Sequence, residues 1–122
     1  MPKVKDLMVT NVITIDGSAT VAEAIEKMRK NGVRSLIVER RNEDDAFGIV
    51  TMRDVVYKVV AEGLDPKNTA VHEIMSKPLI SLNPNLDAKY AARLMAKCNI
   101  SHAPVIAEHR LMGILSLADF VK

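Results

Sequence analysis

Gly48 to Val55 read GIVTMRDV, and Gly113 to Phe120 of the same 122-residue chain repeat the pattern of this octapeptide as GILSLADF. Each stretch begins with glycine and continues as a short apolar run, which is typical of a buried strand. Each then carries a hydroxyl residue and, three positions later, an aspartate, which is typical of the first turn of a helix. The pattern therefore predicts two equivalent strand-to-helix junctions.

The similarity extends over almost the whole chain. Val4 to Ile15 (VKDLMVTNVITI) aligns with Val71 to Leu82 (VHEIMSKPLISL) at an offset of 67 residues, and Ala24 to Val38 aligns with Ala91 to Val105 at the same offset. Apolar and turn positions match together, so we interpret the chain as an internal duplication. We divide it into a first repeat (1–62), a linker (63–70) and a second repeat (71–122).

Both repeats follow the order β-α-β-β-α. Helices are expected to begin at Thr20, which forms a capping box with Glu23, at Asp87, and after Thr51 and Ser116. The expected strands are Val12–Ile15, Ser35–Glu39, Phe47–Thr51, Leu79–Leu82, His102–Ile106 and Leu111–Leu115. About 50 residues bury too little apolar surface to be stable alone. We therefore predict an α/β (α+β) fold whose two repeats pack sheet to sheet with pseudo-twofold symmetry.

The composition indicates a globular protein and argues against several other classes. The chain is 48% hydrophobic and 26% charged, and no apolar run approaches the roughly 20 residues of a membrane span. Because the N-terminal MPKVKDLMVT lacks an apolar secretion segment, we expect a cytoplasmic protein without a membrane partner. Since the net charge is only +2 and tryptophan is absent, nucleic-acid binding is not expected.

The two junctions carry chemistry that suits a nucleotide. Thr51 and Ser116 precede helices, where unpaired N–H groups and the helix dipole favour an anion such as phosphate. Asp54 and Asp119 lie one helical turn further on, and a carboxylate that accepts two hydrogen bonds matches the vicinal hydroxyls of a ribose. The same spacing also describes a helix cap that needs no ligand. The two roles are compatible, and the spacing alone leaves both open.

The element order, the two G-h-x-[ST]-x-x-D strings (where h is an apolar residue) and NISHAPV at Asn99–Val105 resemble the cystathionine-β-synthase (CBS) domain family. From Val4 to Val121 the chain is similar to a tandem CBS pair. The resemblance implies a regulatory module that binds AMP, ADP, ATP or S-adenosylmethionine in the cleft between the repeats. It further implies a homodimer, and the lack of an effector domain in this sequence implies output in trans to an unidentified effector protein.

The resemblance also implies two sites, each combining a turn of one repeat with the junction of the other. One site would contain Ile13, Val33, Arg34, Ser35, Ile114, Ser116 and Asp119, and the other Ile80, Ile100, Ser101, His102, Ile49, Thr51 and Asp54. The isoleucines at positions 13, 49, 80 and 114 would sandwich a purine. Arg34 would either bind a phosphate through two parallel hydrogen bonds or be a solvated surface residue. His102 would either donate a hydrogen bond to a phosphate or be a polar residue at the start of a strand. Because Ser35 corresponds to His102, the two sites need not bind the same ligand.

Other functions have little support in the sequence. Cys98, His102 and His109 match no closed zinc pattern, so no metal is expected. No nucleophile lies in an activating pattern with a base, so we do not expect an enzyme. The main alternative to a ligand sensor is a dimeric protein-interaction module whose clefts stay unoccupied.

Overall fold

The computed structural model describes residues 1–78 and 80–122, which form two compact units. One unit is Ile13–Lys77, here called the 13–77 unit; the other combines Met1–Val12 with Pro78–Lys122 and is called the composite unit. Each unit contains one small sheet and its own helices, so the predicted α/β class is confirmed. None of the helices formed by the described residues is long and apolar enough to cross a membrane.

In chain order the elements are α1 (Val4–Leu7), β1 (Thr14–Ile15), α2 (Val21–Asn31), β2 (Ser35–Val38), β3 (Gly48–Thr51), α3 (Met52–Val55), α4 (Ala88–Cys98), β4 (His102–Ala107) and β5 (Arg110–Ser116). A five-residue π-helix, Val56–Val60, continues α3, and single 3₁₀ turns occur at Val71–Glu73 and Leu117–Phe120.

The 13–77 unit has a three-stranded sheet covered by α2. β1 runs parallel to β2, and β2 runs antiparallel to β3, with Ser35 opposite Thr51. The Thr20 hydroxyl oxygen accepts the Glu23 N–H at 3.1 Å, which confirms the cap but not the reciprocal bond of the predicted capping box. Gly32 ends α2 in the left-handed region at φ +64°. Helical spacing puts the apolar side chains of α2 on one face, which packs on the sheet; the fully buried ones are Val21, Ala24 and Met28.

The composite unit contains the β4–β5 hairpin, in which His102 lies opposite Ser116. Of the predicted strand Leu79–Leu82, Leu79 lies outside the described residues and Leu82 forms only an isolated parallel bridge with Val105. Asp87 occupies the position before α4 but makes no cap hydrogen bond. Its carboxylate is instead 3.4 Å from the Lys3 ammonium, a partner that no local pattern indicates.

Each hairpin is extended at its outer strand by a segment from elsewhere in the chain. Val9 exchanges two backbone hydrogen bonds with Ile114 of β5, at 2.9 and 3.0 Å. Ser76 does the same with Ile49 of β3, at 2.8 and 2.9 Å. Val9 and Ser76 occupy equivalent positions in the sequence duplication. Each unit therefore combines the hairpin of one repeat with the segment that leads into the other.

Candidate functional site

The first junction is closed by reciprocal hydrogen bonds between Thr51 and Asp54. The backbone N–H and the hydroxyl of Thr51 both donate to Asp54 Oδ2, at 2.9 and 3.0 Å. In return the Asp54 N–H donates to the Thr51 hydroxyl oxygen at 3.1 Å. The arrangement is a capping box, so the capping interpretation of this spacing is confirmed. The cap uses one carboxylate oxygen, Oδ2, and does not use Oδ1.

The second junction keeps the two hydrogen bonds to the carboxylate, which is more buried here, but Ser116 makes no reciprocal side-chain cap hydrogen bond. The N–H and hydroxyl of Ser116 donate to Asp119 Oδ2 at 2.8 and 3.1 Å, and Asp119 is only 6% exposed. Burial acts to raise the pKa of Asp119, but hydrogen bonds from Lys122 and Ser116 outweigh it and hold the pKa below its ordinary value. The following helix is a single 3₁₀ turn of four residues. Few peptide dipoles are aligned in so short a turn, which weakens the dipole contribution expected from the sequence.

A lysine contacts the second oxygen of each carboxylate, and neither lysine was predicted from the sequence. Lys58 Nζ lies 3.1 Å from Asp54 Oδ1 and donates to the carbonyl oxygen of Ile74 at 2.8 Å. Lys122 Nζ lies 2.8 Å from Asp119 Oδ1. The signal for Lys58 was present, because an aspartate and a lysine four residues apart on a helix are neighbours.

These contacts limit what Asp54 can accept. A carboxylate has about four acceptor positions in total. The N–H and hydroxyl of Thr51 use two of them, and Lys58 uses a third. One position remains, whereas a vicinal diol donating two hydrogen bonds needs two. Full recognition of a ribose by Asp54 therefore requires one of the present donors to leave.

In the 13–77 unit the predicted turn lies beside the junction of its own repeat. The Met52 N–H donates to the carbonyl oxygen of Arg34 at 2.9 Å, and Ser35 pairs with Thr51 across β2 and β3. The Arg34 side chain is exposed, while Val33 packs against the core of the unit. The guanidinium is therefore available at the edge of the junction.

The composite unit has the same contacts at the equivalent positions. The Leu117 N–H donates to the carbonyl oxygen of Ser101 at 3.1 Å, and His102 pairs with Ser116 across β4 and β5. The Ser101 hydroxyl lies 3.1 Å from His102 Nδ1, and Ile100 packs against the core of this unit. Each unit thus brings one turn and one junction together.

The four isoleucines expected to hold a purine differ in burial. Ile49 is only 3% exposed, whereas Ile13, Ile80 and Ile114 are half-buried. Ile13 and Ile80 also pack against the cores of their own units. Apolar surface is therefore accessible at three of the four positions, and seven of the fourteen candidate residues belong to each unit.

A separate cavity of about 610 Å³ lies in the 13–77 unit, beyond the carboxyl ends of β1 and β2. None of the candidate site residues lines it. Three of its charged side chains pair with one another: Asp45 accepts the N–H and Nε–H of Arg41 at 3.0 and 3.3 Å and the Lys77 ammonium at 3.0 Å. The hydrogen bond from the Arg41 N–H is the main cause that lowers the pKa of Asp45, and the hydrogen bond from Lys77 lowers it further.

Among residues 1–78 and 80–122, no three His, Cys, Asp or Glu side chains are grouped to hold a metal.

The fold and the junctions define a class of protein: a duplicated α/β chain with a hydroxyl–carboxylate junction after the hairpin of each repeat. The profile of the CBS domain matches residues 4–61 and 71–122. The chain therefore belongs to the CBS domain family, and its two domains form a CBS pair, which is a regulatory module.

Similar proteins span most of this chain. The CBS domain-containing protein YhcV of Bacillus subtilis is 35% identical over 119 residues, which are 98% of this chain and 83% of YhcV. The hexameric CBS-CP12 protein from bloom-forming cyanobacteria is 49% identical with a TM-score of 0.95, over 99% of this chain and 70% of that one. The CBS pair of protein MJ0100, in complex with 5-methylthioadenosine and S-adenosyl-L-methionine, is 26% identical with a TM-score of 0.84, over 98% of this chain and 93% of that one.

Proposed function

We propose that this CBS pair is a sensor of an adenosine compound, namely AMP, ADP, ATP or S-adenosylmethionine. The observation that carries the proposal is the duplicated junction, in which Asp54 and Asp119 each use one carboxylate oxygen, Oδ2, at the start of a helix and pair the other, Oδ1, with a lysine. A helix cap needs only the other oxygen, so Oδ1, which now pairs with a lysine, is the oxygen that a ligand would engage once that lysine is displaced. The complex of MJ0100 with two adenosine compounds supports this ligand class.

Each proposed site combines the turn of one repeat with the junction of the other. Asp54 would accept ribose hydroxyls in a site with Ser101 and His102, and Asp119 would do so in a site with Arg34 and Ser35. The apolar contacts to the purine would come from Ile80, Ile100 and Ile49 in the first of these sites and from Ile13, Val33 and Ile114 in the second. The exposed guanidinium of Arg34 favours a phosphate-bearing ligand in the second site.

The proposed output is a change in how the CBS pair engages an effector protein. A ligand shifts such an equilibrium only by its differential affinity for the two states. We further propose that the chain self-associates as a homodimer. The hexameric assembly of the CBS-CP12 relative supports self-association, and so do the exposed apolar side chains Val56, Tyr57 and Val60 on the π-helix after α3.

Calorimetric titration with AMP, ATP and S-adenosylmethionine tests the binding function. We expect saturable micromolar binding to the wild type and its loss in the double variant Asp54→Ala, Asp119→Ala. Asp6→Ala is the matched control, because Asp6 accepts the Lys3 N–H at 2.8 Å at the start of α1 but belongs to neither proposed site. Circular dichroism verifies that each variant is folded.

The second candidate is a protein-interaction module whose clefts stay unoccupied. The exposed apolar side chains of the π-helix favour it, because they offer a contact surface that needs no ligand. No heat with any of the three compounds, from a folded and self-associating wild type, would favour this candidate over the sensor.

A further inference from the structure

We propose that Lys58 is a displaceable latch that links occupancy of Asp54 to the segment Val71–Lys77, here called the connector. The inference rests on the proposed function, since it assumes that Asp54 binds a vicinal diol. The ammonium of Lys58 bridges Asp54 Oδ1 at 3.1 Å and the Ile74 carbonyl oxygen at 2.8 Å. A single side chain therefore connects the candidate ribose-binding carboxylate to the connector.

Lys58 is the donor that a diol displaces most easily. The Thr51 N–H is fixed by the backbone at the end of β3, and the Thr51 hydroxyl also accepts the Asp54 N–H. The Lys58 side chain is 47% exposed, so its ammonium regains water when it leaves. A half-exposed ion pair contributes little net stability, whereas the cap holds the start of the helix.

Displacement of Lys58 removes a hydrogen-bond donor from the connector. Ile74 is 3% exposed and is followed by Met75 and Ser76, which lie along β3. The Ser76 N–H donates to the carbonyl oxygen of Ile49 at 2.9 Å, so Ser76 reports directly on how firmly the connector is held. Ligand binding at Asp54 should therefore loosen the connector, which leads by covalent bonds into the second repeat.

The chain provides an internal control at its second junction. Lys122 Nζ contacts Asp119 Oδ1 at 2.8 Å in the same way, but among the described residues that carboxylate is its only polar partner. Substitution of Lys122 therefore removes a competing cation without removing a donor from the connector. The two lysines separate competition for the carboxylate from coupling to the connector.

The test compares wild type, Lys58→Met and Lys122→Met by calorimetry and by amide hydrogen exchange. AMP and 2′-deoxy-AMP are the two probes, because they carry the same charge and only AMP has a vicinal diol. We expect Lys58→Met to tighten AMP binding about two- to fivefold relative to its effect on 2′-deoxy-AMP. Without ligand, the Ser76 amide should exchange several-fold faster in Lys58→Met than in wild type, and AMP should accelerate it in wild type only. Lys122→Met should leave Ser76 exchange unchanged.

The outcomes distinguish this inference from the function on which it rests. A wild type that binds no adenosine compound overturns the proposed function and the ligand-driven latch together. A wild type that binds AMP, with equal effects of Lys58→Met on both probes, overturns the latch alone. Ser76 exchange that is unchanged by Lys58→Met in the unliganded protein also overturns it, whatever the ligand result.

Discussion

Gly113 packs directly against the backbone of Val9, and a Cβ atom at position 113 would lie 2.6 Å from the Val9 carbonyl oxygen. Gly48, the equivalent residue of the first repeat, faces the side chain of Met75 instead, with Sδ 2.8 Å from the same position. Glycine at the start of both octapeptides is therefore explained by the close approach of an added segment rather than by an unusual backbone conformation.

We predict that Gly113→Ala costs more stability than Gly48→Ala. The Val9 carbonyl belongs to a backbone bridge with Ile114 and cannot withdraw without breaking it, so about 1–3 kcal/mol of overpacking is expected. The thioether of Met75 can rotate away, which makes the cost at Gly48 smaller. Urea unfolding at a common m-value measures the difference. Equal losses for the two variants would contradict the assignment of the rigid contact to Val9.

The C-terminal ends of α2 and α4 give a second matched pair. Gly32 and Asn99 occupy equivalent positions, with φ values of +64° and +53°. Alanine is strained in this region by roughly 1–2 kcal/mol, so both Gly32→Ala and Asn99→Ala should lower the free energy of unfolding. Asn99→Gly should be neutral or slightly stabilising. Thermal unfolding compares the three variants, and a destabilising Asn99→Gly would mean that the asparagine side chain contributes more than conformational tolerance.

Asp119 predicts how stability depends on pH. Its pKa is lower in the folded protein, so the carboxylate stabilises the fold at pH values above the unfolded pKa of about 4. That contribution is lost as the pH falls through the lower folded pKa. The stability difference between wild type and Asp119→Asn should therefore be constant from about pH 5 to 7 and shrink below about pH 4. Urea unfolding across this range measures it, and a difference that grows on acidification would contradict the assignment.

Self-association gives a prediction for the π-helix. Val60 is 63% exposed, and a glutamate there would place a charge within the apolar surface. We expect wild type to be larger in solution than its 13.4 kDa chain and Val60→Glu to be smaller than wild type. Leu94→Glu on α4, at a 40% exposed apolar position of the composite unit, is the control. Sedimentation velocity distinguishes the variants. If only Leu94→Glu lost assembly, the interface would lie at α4 and not at the π-helix.

Local patterns predicted the parts of the fold that depend on local physics. The spacing of Thr51 and Asp54 specified the cap, because both partners lie within one helical turn. Asp87 pairs with Lys3, which is 84 positions away, and Lys58 donates to the carbonyl oxygen of Ile74, which is 16 positions away. Tertiary structure alone determines such contacts. The duplication revealed that Val9 and Ser76 are equivalent, but not which hairpin each would extend. Which turn meets which junction also depends on tertiary structure, so the proposed sites across the repeats rest on family resemblance.

Arg34 provides a test of which end of the ligand each site holds. If its guanidinium binds phosphate, Arg34→Met should weaken AMP binding by about tenfold, since hydrogen bonds to charged groups contribute more than neutral ones. Binding of uncharged adenosine should change by less than about twofold, because purine and ribose contacts persist. Arg53→Met is the control, since Arg53 is also exposed but stacks on Tyr57 at 5.2 Å. Calorimetry with both ligands measures these effects. If Arg34→Met weakened the binding of AMP and of adenosine equally, Arg34 would maintain the shape of the turn and would not bind the phosphate.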